Sequence, residues 1–531
     1  MPVIGAEMPQ SSEWWKRAVI YQVYPRSFQD SDGDGIGDLN GIRRRLDYLA
    51  WLGVGAIWIS PIFPSPMADF GYDVSDYCAI APLFGSMADF DALVHEAHGR
   101  GLKVILDFVP NHTSDQHPWF TESRASRTSA KRDWYIWRDA GADGGPPNNW
   151  VSQFGGPAWT LDPVTGQYYL HSFLPQQPDL NWRNDAVREA MFNVLRFWLD
   201  RGVDGFRVDV LWLLIKDADL RDNPPNPGYL PTQAAINRTL SVHNADQPEI
   251  HEVIGQMRGV LEAYRDRVLI GEIYLPFERL AMYYGKDLSG VHLPFNFALI
   301  NASWHAAAVA ALITQYEDSL PPGGWPNWVL GNHDQPRIAA RVGAGQARIA
   351  AMLLLTLRGT PTMYYGDEIG LARVDVAPDL AQDPWEKREP GLGVGRDPWR
   401  TPMQWDGTAN AGFSSARPWL PLAPDHQACN VTTLRADDRS ILSLCRALVA
   451  LRNAHPAFSL GDQRVIGADG DVLRYERSLG GETFVVALNF ATESRSLREP
   501  DEGTLVLSTE LDRTGVGDCV LRGGEGVIIK L

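Results

Sequence analysis

Eight short apolar runs, each suited to a β-strand, are spread over residues 19–365, and helical patterns separate several of them. The runs cover residues 19–24, 56–60, 103–109, 204–209, 268–272, 291–296, 328–331 and 360–365. Strands that alternate with amphipathic helices form parallel β/α units, and eight such units can close into a barrel. The sequence therefore predicts an α/β fold built on a (β/α)8 TIM barrel, with its chemistry on loops at the carboxyl ends of the strands.

Apolar side chains recur with helical spacing in three of the intervening segments. The predicted buried faces are Ile42, Leu46 and Leu49, then Phe90, Leu93, Val94 and Ala97, then Val187, Met191, Leu195, Trp198 and Leu199. The third face follows Asn184, a favoured N-cap, and Asp185 lies in the first turn, where the helix dipole stabilises a negative charge. These patterns predict the helices that surround the barrel.

Two long segments interrupt the barrel pattern, and a different pattern follows it. Residues 111–179 are rich in glycine, proline and aromatic residues, and residues 371–405 are irregular. A helix over 440–452 ends before Pro456, and short alternating strands follow at 472–477, 483–489, 504–508 and 527–530. The predicted domains are a barrel (1–110 and 180–455), an inserted loop-rich domain after the third strand (111–179) and a C-terminal, β-sandwich-like antiparallel domain (456–531).

Composition narrows the range of partners. The chain has 531 residues and a formal net charge of −17, which disfavours binding to nucleic acid or to an anionic membrane and suits a neutral substrate. No apolar run is expected to be long enough to span a membrane, and residues 1–15 lack the apolar core of a signal peptide. Four cysteines without metal-type spacing are typical of a reducing compartment: Cys78, Cys429, Cys445 and Cys519. We therefore expect a cytoplasmic monomer or homodimer.

Ionisable side chains stand at the ends of four predicted barrel strands. Side chains alternate along a strand, so Arg207 and Asp209 share a face, and the cation favours an ionised carboxylate suited to nucleophilic attack. Glu272 follows the apolar run 268–270, where drier surroundings raise a carboxyl pKa and suit a proton donor. Asp334 adds a third carboxylate at the same rim. Carboxylates from several strand ends of one barrel make a site for glycoside chemistry.

Several longer motifs support the same interpretation. They are Trp14-Trp15, the segments 20–28 (IYQVYPRSF), 177–181 (QPDLN), 364–368 (YYGDE) and 400–405 (RTPMQW), together with the four strand ends at 107–112, 205–210, 271–274 and 331–334. With these motifs the chain resembles the α-amylase family (glycoside hydrolase family 13) over nearly its whole length, and within it the branch of α-glucosidases and oligo-1,6-glucosidases.

The resemblance implies a role for each matching residue. Asp209 is expected to be the nucleophile, and Glu272 the acid that protonates the leaving oxygen and then deprotonates water. Net retention of configuration requires these carboxyl groups to lie roughly 5–5.5 Å apart. Asp334, His112, His333 and Arg207 are expected to bind or orient the glucose unit whose bond is cleaved, and Asp107 is expected to hold Arg207.

A second set of residues implies exo-action. Asp69 and Arg400 match a pair that binds the terminal hydroxyls of a nonreducing glucose and closes the pocket. Tyr72 matches an aromatic residue that stacks on that glucose. Phe154 and Phe173, in the inserted segment, match aromatic residues that line the pocket. A closed pocket disfavours an endo-acting amylase.

Linkage preference is left open by the sequence. In this branch a valine after the nucleophile, here Val210, is associated with α-1,6 bonds, whereas small residues or threonine accompany α-1,4 bonds. The segments 144–150 and 167–173 instead resemble broad-specificity α-glucosidases. We predict a retaining exo-α-glucosidase for short, maltose-type α-glucosides, with broad linkage tolerance and some transglucosylation. The alternatives are an oligo-1,6-glucosidase, a sucrose- or trehalose-acting glucosidase, and a transglucosylase of the same branch.

The acidic loop 30–38 is a candidate cation site. Carboxylates alternate along it with a glycine at the bend, as in the first part of an EF-hand loop, although the closing glutamate is missing. Similar glucosidases hold one Ca²⁺ or Mg²⁺ in this loop. We expect one structural divalent cation and no organic cofactor, with the ligands Asp30, Asp32, Asp34, the Ile36 carbonyl and Asp38.

Overall fold

The computed structural model describes residues 13–497, 503–515 and 520–531. Among them, eight strands form one parallel sheet: Ile20–Val23, Ala56–Ile59, Lys103–Phe108, Gly205–Val208, Val268–Gly271, Leu293–Pro294, Asn327–Val329 and Thr360–Tyr364. In chain order these barrel strands lie side by side as 7-8-1-2-3-4-5-6. An isolated parallel bridge between Asn296 and Trp328 joins the two ends of the sheet. The predicted barrel and its eight strands are confirmed, although each strand is shorter than predicted.

Helices cover the outside of the barrel. The helices that follow the strands are Leu39–Arg44, Leu46–Leu52, Met87–Gly99, Asp185–Asp200, Ile250–Glu262, Ala306–Ser319, Ile338–Thr356 and Ile441–Ala454. Shorter helices are Pro25–Phe28, Phe277–Leu280, Ala298–Asn301, Pro384–Arg388, Val431–Arg435 and Pro456–Ser459. In Asp185–Asp200, the predicted face is fully buried and the Asn184 side chain accepts a hydrogen bond from the amide of Ala186, as expected for its cap. Each buried leucine on such a face contributes about 1.5–3 kcal/mol.

The inside of the barrel is filled by side chains from alternate positions of the strands. One cluster of buried residues contains Ile20, Trp58, Ile105, Ile270 and Val329, each almost fully shielded from solvent. The intervening positions face the surrounding helices. Because the interior is packed with apolar groups up to the carboxyl ends of the strands, the polar side chains at those ends face the barrel mouth.

The segment after the third strand forms a small ordered unit. It contains the helix Pro118–Arg124 and an antiparallel sheet of the strands Trp137–Arg138, Gln167–Leu170 and Trp159–Asp162. Aromatic rings hold it together: Phe120 stacks on Trp137 at 5.6 Å between ring centroids and meets Tyr169 edge-on at 5.1 Å. An isolated bridge between His112 and Asp179 joins the two ends of the segment. This bridge holds the two ends of the inserted unit together where the unit leaves and rejoins the barrel.

A five-stranded antiparallel sheet follows the last long helix. In order across the sheet the strands are Asp462–Asp469, Val472–Leu479, Glu482–Asn489, Gly526–Lys530 and Thr504–Ser508, and a separate pair joins Arg495–Ser496 to Val520–Leu521. The first of these strands was not predicted, because its alternating pattern is mostly exposed and carries few apolar residues. Residues 1–12 and Cys519, which entered the predictions above, lie outside the described residues.

One described helix, Ile338–Thr356, is long and apolar enough to cross a membrane by length and composition alone, with 19 residues and a mean hydropathy of 1.3. The prediction that no segment reaches that length is therefore wrong. Half of the helix is buried inside the protein, where Ile349 and Leu353 belong to the main core. Its apolar character follows from this packing against the helix Ile441–Ala454 and the C-terminal sheet.

Candidate active site

A cavity of about 260 Å³ opens at the carboxyl ends of the barrel strands. It is lined by Asp69, Tyr72, His112, Gln153, Phe154, Phe173, Gln177, Asp209, Val210, Trp212, Leu213, Glu272, Tyr274, Asp334, Gln335, Trp385 and Arg396. Eight predicted site residues are in this set, and three others lie behind it, namely Arg207, His333 and Arg400. The structure thus brings the predicted carboxylates and aromatic residues to one place.

Arg207 bridges the two predicted catalytic carboxylates. Its Nη1 donates to Asp107 and to Asp209, both at 2.7 Å, and its Nη2 donates to Glu272 at 2.5 Å. The strand register places Asp107 directly beside Arg207 on the neighbouring strand, which explains the first contact. Because the guanidinium is fully buried, its charge is little screened. One fixed cation therefore orients both carboxyl groups toward the cavity, with Asp107 as its anchor.

Burial decides the protonation of this pair. Burial raises the pKa of Asp209 well above its ordinary value, and the charge of Glu272 adds to the rise, while Arg207 acts in the opposite direction. Burial also raises the pKa of Glu272, again against Arg207. The predicted rise in the pKa of Glu272 agrees with this direction. Arg207 lowers the pKa of Asp209, as expected, but burial outweighs it. Because the charge of Glu272 raises the pKa of Asp209, the pair favours a state with one proton and one negative charge.

A second buried cation, Arg396, holds the opposite side of the cavity. Its Nη1 donates to Asp334 at 3.0 Å and its Nη2 donates to Asp69 at 2.7 Å. Burial raises the pKa of Asp69 to about 6, although Arg396 and Arg400 oppose the shift. Burial acts the same way on Asp334, but His333, Arg396 and Arg400 outweigh it and lower the pKa of Asp334 below its ordinary value. Asp334 is therefore a lasting negative charge in the cavity.

The structure does not bring Arg400 into contact with Asp69, so their predicted joint binding of the terminal hydroxyls stays a prediction. Arg400 is fully buried, and it donates from Nε to the His333 carbonyl at 2.9 Å and from Nη2 to Asp334 at 2.8 Å. Arg396 and Arg400 flank the single 3-10 turn Asp397–Trp399, so they leave it in different directions. The sequence offers two arginines four positions apart, and nothing in their spacing tells which one reaches Asp69.

Of the three predicted ring side chains His112, His333 and Tyr72, the first and last line the cavity and His333 lies behind it. The Tyr72 hydroxyl lies 3.0 Å from Asp107 Oδ2 and 2.7 Å from His333 Nε2, and the Tyr72 and His333 rings stack at 5.3 Å. His333 lies behind Tyr72, so its predicted contact with a sugar stays a prediction. His112 lines the cavity and lies 3.1 Å from Gln177 Nε2. Burial lowers the pKa of His112 to about 4, so His112 is neutral at pH 7.

Aromatic rings form one wall of the cavity. Phe154 and Phe173 meet edge-on at 5.6 Å between centroids, and Trp385 approaches Phe154 at 5.6 Å. The lining residues that the sequence analysis did not select are Gln153, Gln177, Trp212, Leu213, Tyr274, Gln335, Trp385 and Arg396. Proximity to Asp209, Glu272 and Asp334 along the chain could have indicated Trp212, Leu213, Tyr274 and Gln335. Trp385 and Arg396 had no such signal, because they come from the irregular segment after the eighth strand.

Val210 adopts a backbone conformation that is rare for its type. Its φ of 38° and ψ of 45° lie in the left-handed region, and its amide donates to Glu272 Oε2 at 3.0 Å. A β-branched residue in this region carries about 1–3 kcal/mol of strain, which persists where the surroundings enforce it. The strained turn aims the amide at the proton donor and places the Val210 side chain in the cavity wall, where it can contact a substrate.

The acidic loop lies apart from this cavity. Oxygen atoms of Asp30, Asp32 and Asp38 converge within 4.8 Å of one another, as the predicted cation site requires. Asp34 lies outside this group, and its Oδ1 accepts from the Ile36 amide at 2.7 Å, so the predicted roles of Asp34 and Ile36 stay predictions. Hard oxygen donors at this separation fit a Ca²⁺ or Mg²⁺ ion.

Comparison with known proteins identifies the family of the chain. Residues 22–461 match the family described as alpha amylase, catalytic domain. A probable α-glucosidase of Rhizobium meliloti is 42% identical over 94% of both chains, and an oligo-1,6-glucosidase of Parageobacillus thermoglucosidasius is 40% identical over 92% of both. A solved structure of an α-glucosyl transfer enzyme superposes with a TM-score of 0.92 at 42% identity, over 98% of this chain and 99% of that one.

The matched family covers residues 22–461, and the two relatives cover 92–94% of the chain. Asp209, Glu272 and Asp334 stand at or just beyond the carboxyl ends of barrel strands, as the predicted glycoside chemistry requires. The chain belongs to the α-amylase family and is a glycoside hydrolase.

Proposed function

We propose that the protein is a retaining, exo-acting α-glucosidase that releases α-glucose from the nonreducing end of short α-glucosides. The observation that carries this proposal is the pair Asp209 and Glu272, bridged by Arg207 and facing a cavity whose far side is closed by Arg396 with Asp69 and Asp334. The side of the cavity with Asp209 and Glu272 performs glycoside chemistry. The opposite side provides hydrogen-bond acceptors and donors for the hydroxyls of a single terminal sugar.

The mechanism has two displacements. The Asp209 carboxylate attacks the anomeric carbon while the Glu272 carboxylic acid gives its proton to the leaving oxygen, so a β-glucosyl ester forms on Asp209 and the remaining sugar departs. Glu272, now ionised, takes a proton from a water molecule that attacks the same carbon, which releases α-glucose and restores both groups. The charged Asp334 accepts hydrogen bonds from ring hydroxyls, and such bonds strengthen as positive charge develops on the sugar.

Relatives named α-glucosidase and oligo-1,6-glucosidase at similar identity support a broad linkage tolerance rather than one bond type. Val210 lines the cavity beside Glu272, but one apolar contact biases the choice between linkages by only about 1–3 kcal/mol. The covalent ester can also be intercepted by a sugar hydroxyl. A structural relative named an α-glucosyl transfer enzyme supports some transglucosylation as a second activity.

Proton NMR of the enzyme with equal maltose and isomaltose tests the proposal. We expect both disaccharides to be consumed, maltose first, and α-glucose to appear before mutarotation produces the β-anomer. Isomaltose lost first would favour the oligo-1,6-glucosidase alternative. If β-glucose appeared first, the double displacement and the role of Asp209 would be wrong.

We also propose that the loop 30–38 binds one structural Ca²⁺ or Mg²⁺. The convergence of Asp30, Asp32 and Asp38 supports it, and so does the ordering of the loop: Asp30 Oδ1 accepts from the amides of Asp32 and Gly33, at 3.0 and 2.7 Å. The cation would offset the repulsion among three carboxylates and would raise stability without touching the substrate.

Removal of this cation is expected to lower the melting temperature by about 2–3 °C, since an ion present at 100 times its Kd contributes about 2.7 kcal/mol. Calorimetry with and without EDTA, together with metal analysis of the purified protein, measures this. Asp32→Asn should abolish the response to EDTA. The control Asp76→Asn removes another exposed aspartate whose Oδ1 likewise accepts from the amide two positions on, and it should keep the response. An unchanged melting temperature and no bound metal would contradict the proposal.

A further inference from the structure

Asp383 makes more contacts with Arg396 than either carboxylate that faces the cavity. It is fully buried, and its carboxylate receives Nε of Arg396 at 3.1 and 3.2 Å and Nη2 at 2.8 Å. This is the paired, side-on geometry in which a planar guanidinium is held at a fixed angle. Asp69 and Asp334 each receive a single N–H from the remaining edge.

The geometry accounts for four of the five N–H donors of Arg396. Asp383 takes the Nε donor and one of the two on Nη2, Asp69 takes the other, and Asp334 takes one on Nη1. Among the described residues the second Nη1 donor has no such acceptor, and Arg396 lines the cavity. The two-point contact with Asp383 therefore sets the direction of the second Nη1–H of Arg396. A sugar hydroxyl in the cavity can accept that hydrogen bond.

The same carboxylate also fixes the neighbouring wall. Asp383 caps the helix Pro384–Arg388 by accepting from the Trp385 amide at 3.2 Å, and it accepts from the backbone amide of Arg396 at 2.5 Å. Trp385, at the start of that helix, lines the cavity against Phe154. Asp383 thus holds both Arg396 and Trp385, two lining residues that lie on different turns of the chain.

Further contacts tie the helix to its surroundings. Arg388 donates from Nε to the Phe154 carbonyl at 3.1 Å and from Nη2 to the Gly155 carbonyl at 2.8 Å. Glu389 accepts from the Ala235 amide at 2.9 Å and from Trp385 Nε1 at 3.0 Å. The helix is therefore joined to the inserted segment and to the long loop after the fourth strand, and Asp383 connects this frame to Arg396.

We propose that Asp383 is a positioning residue that sets Arg396, and with it the site for the terminal glucose, against the Trp385 wall. It touches no substrate and acts through Arg396. The inference rests on the proposed function, because the sugar it concerns is the glucose held by Asp69, Asp334 and Arg396. Its effect falls on the binding of that sugar more than on the chemical step at Asp209.

Asp383→Asn tests this inference. The amide keeps the size of the side chain but loses the negative charge and the two-point contact with Arg396. We expect KM for maltose and Ki for glucose to rise at least about tenfold, with kcat changed by less than about threefold. Asp383→Ser is the second variant: serine still caps the helix, so the fold is kept while Arg396 is released, and it should raise KM and Ki in the same way.

Asp397→Asn is the matched control. Asp397 is a buried carboxylate of the same segment that accepts from the amides of Gln382 and Asp383 at 2.6 and 3.0 Å, and no hydrogen bond joins it to the Arg396 guanidinium among the described residues. We expect its KM and Ki to stay within about twofold of wild type. Wild-type values in both Asp383 variants, or an equal rise in Asp397→Asn, would overturn the inference. A wild-type enzyme without activity on maltose would instead contradict the proposed function.

Discussion

Asp209→Asn is expected to lower kcat for maltose hydrolysis by at least about 10⁴-fold, which corresponds to ~5.4 kcal/mol of activation free energy. The amide has the size of the carboxylate and can still accept the hydrogen bond that Arg207 donates at 2.7 Å, but it cannot attack an anomeric carbon. Glu272→Gln should cause a loss of similar size, since glutamine can neither protonate the leaving oxygen nor deprotonate water. Steady-state kinetics measures both, with thermal unfolding as the check that each variant folds.

Chemical rescue separates the two roles. With α-glucosyl fluoride the departing fluoride needs little protonation, so Glu272→Ala can still form the ester on Asp209, and added azide should then yield α-glucosyl azide after two inversions. Asp209→Ala has no nucleophile, and azide that enters the space of the missing carboxylate should yield β-glucosyl azide after one inversion. Products with the opposite configurations would exchange the assigned roles, and near-normal hydrolysis by either variant would break the assignment.

The barrel and its catalytic pair could be predicted because they depend on local rules. Alternation along a strand puts Arg207 and Asp209 on one face whatever the rest of the chain does, and parallel register then brings Asp107 beside Arg207. Because the interior of the barrel is packed with apolar side chains, a carboxylate at the carboxyl end of a strand faces the barrel mouth. The roles of Asp209 and Glu272 came from the family resemblance, and the geometry supplies the shared cation that the resemblance did not describe.

The far side of the cavity could not be predicted in the same way. Arg396, Asp383 and Trp385 lie on an irregular segment, where no periodicity relates neighbouring side chains in space. Which arginine reaches Asp69 depends on how the short turn Asp397–Trp399 is docked. That docking is set by contacts with residues hundreds of positions away, such as the Ser27 hydroxyl, which donates to the Arg400 carbonyl. The pKa of Asp209 escaped prediction for a related reason, because complete burial needs several distant segments at once.

Arg396→Ala is expected to lower kcat/KM for maltose by about 10³-fold, equivalent to ~4 kcal/mol, and to destabilise the fold by about 3–5 kcal/mol. The side chain is the shared partner of three carboxylates, the buried Asp69 and Asp383 and the partly exposed Asp334, and each of them loses a charged hydrogen bond at 2.7–3.0 Å. An alanine leaves their negative charges close to one another, while Arg400 still bonds Asp334. Kinetics on maltose and calorimetric melting measure the two effects.

The pH dependence of the melting temperature gives a sharper test of this cluster. In the wild type, burial raises the pKa of Asp383, but Arg396 outweighs it and lowers that pKa below its ordinary value. Without the Arg396 side chain, only Arg400 and backbone amides such as that of residue 396 still oppose the effect of burial on the pKa of Asp383, so that pKa rises. The pKa of Asp69, which is already about 6, rises further. The folded variant then binds protons that the unfolded chain, with ordinary values near 4, has released, so its stability falls as pH rises above about 4. The variant should therefore lose more stability relative to wild type at pH 8 than at pH 5.

Arg400→Ala is the matched control, and it decides which arginine belongs with Asp69. Arg400 contacts Asp334, which keeps Arg396 at 3.0 Å when Arg400 is removed, so no carboxylate is left without a cation. We expect a smaller loss of kcat/KM than in Arg396→Ala and a penalty in melting temperature that changes little between pH 5 and pH 8. If Arg400→Ala were the more damaging variant and carried the pH dependence, the pairing of Asp69 with Arg400 expected from the sequence would be right. The bidentate contact between Arg396 and Asp383 would then be a support for the loop and would have no part in binding the sugar.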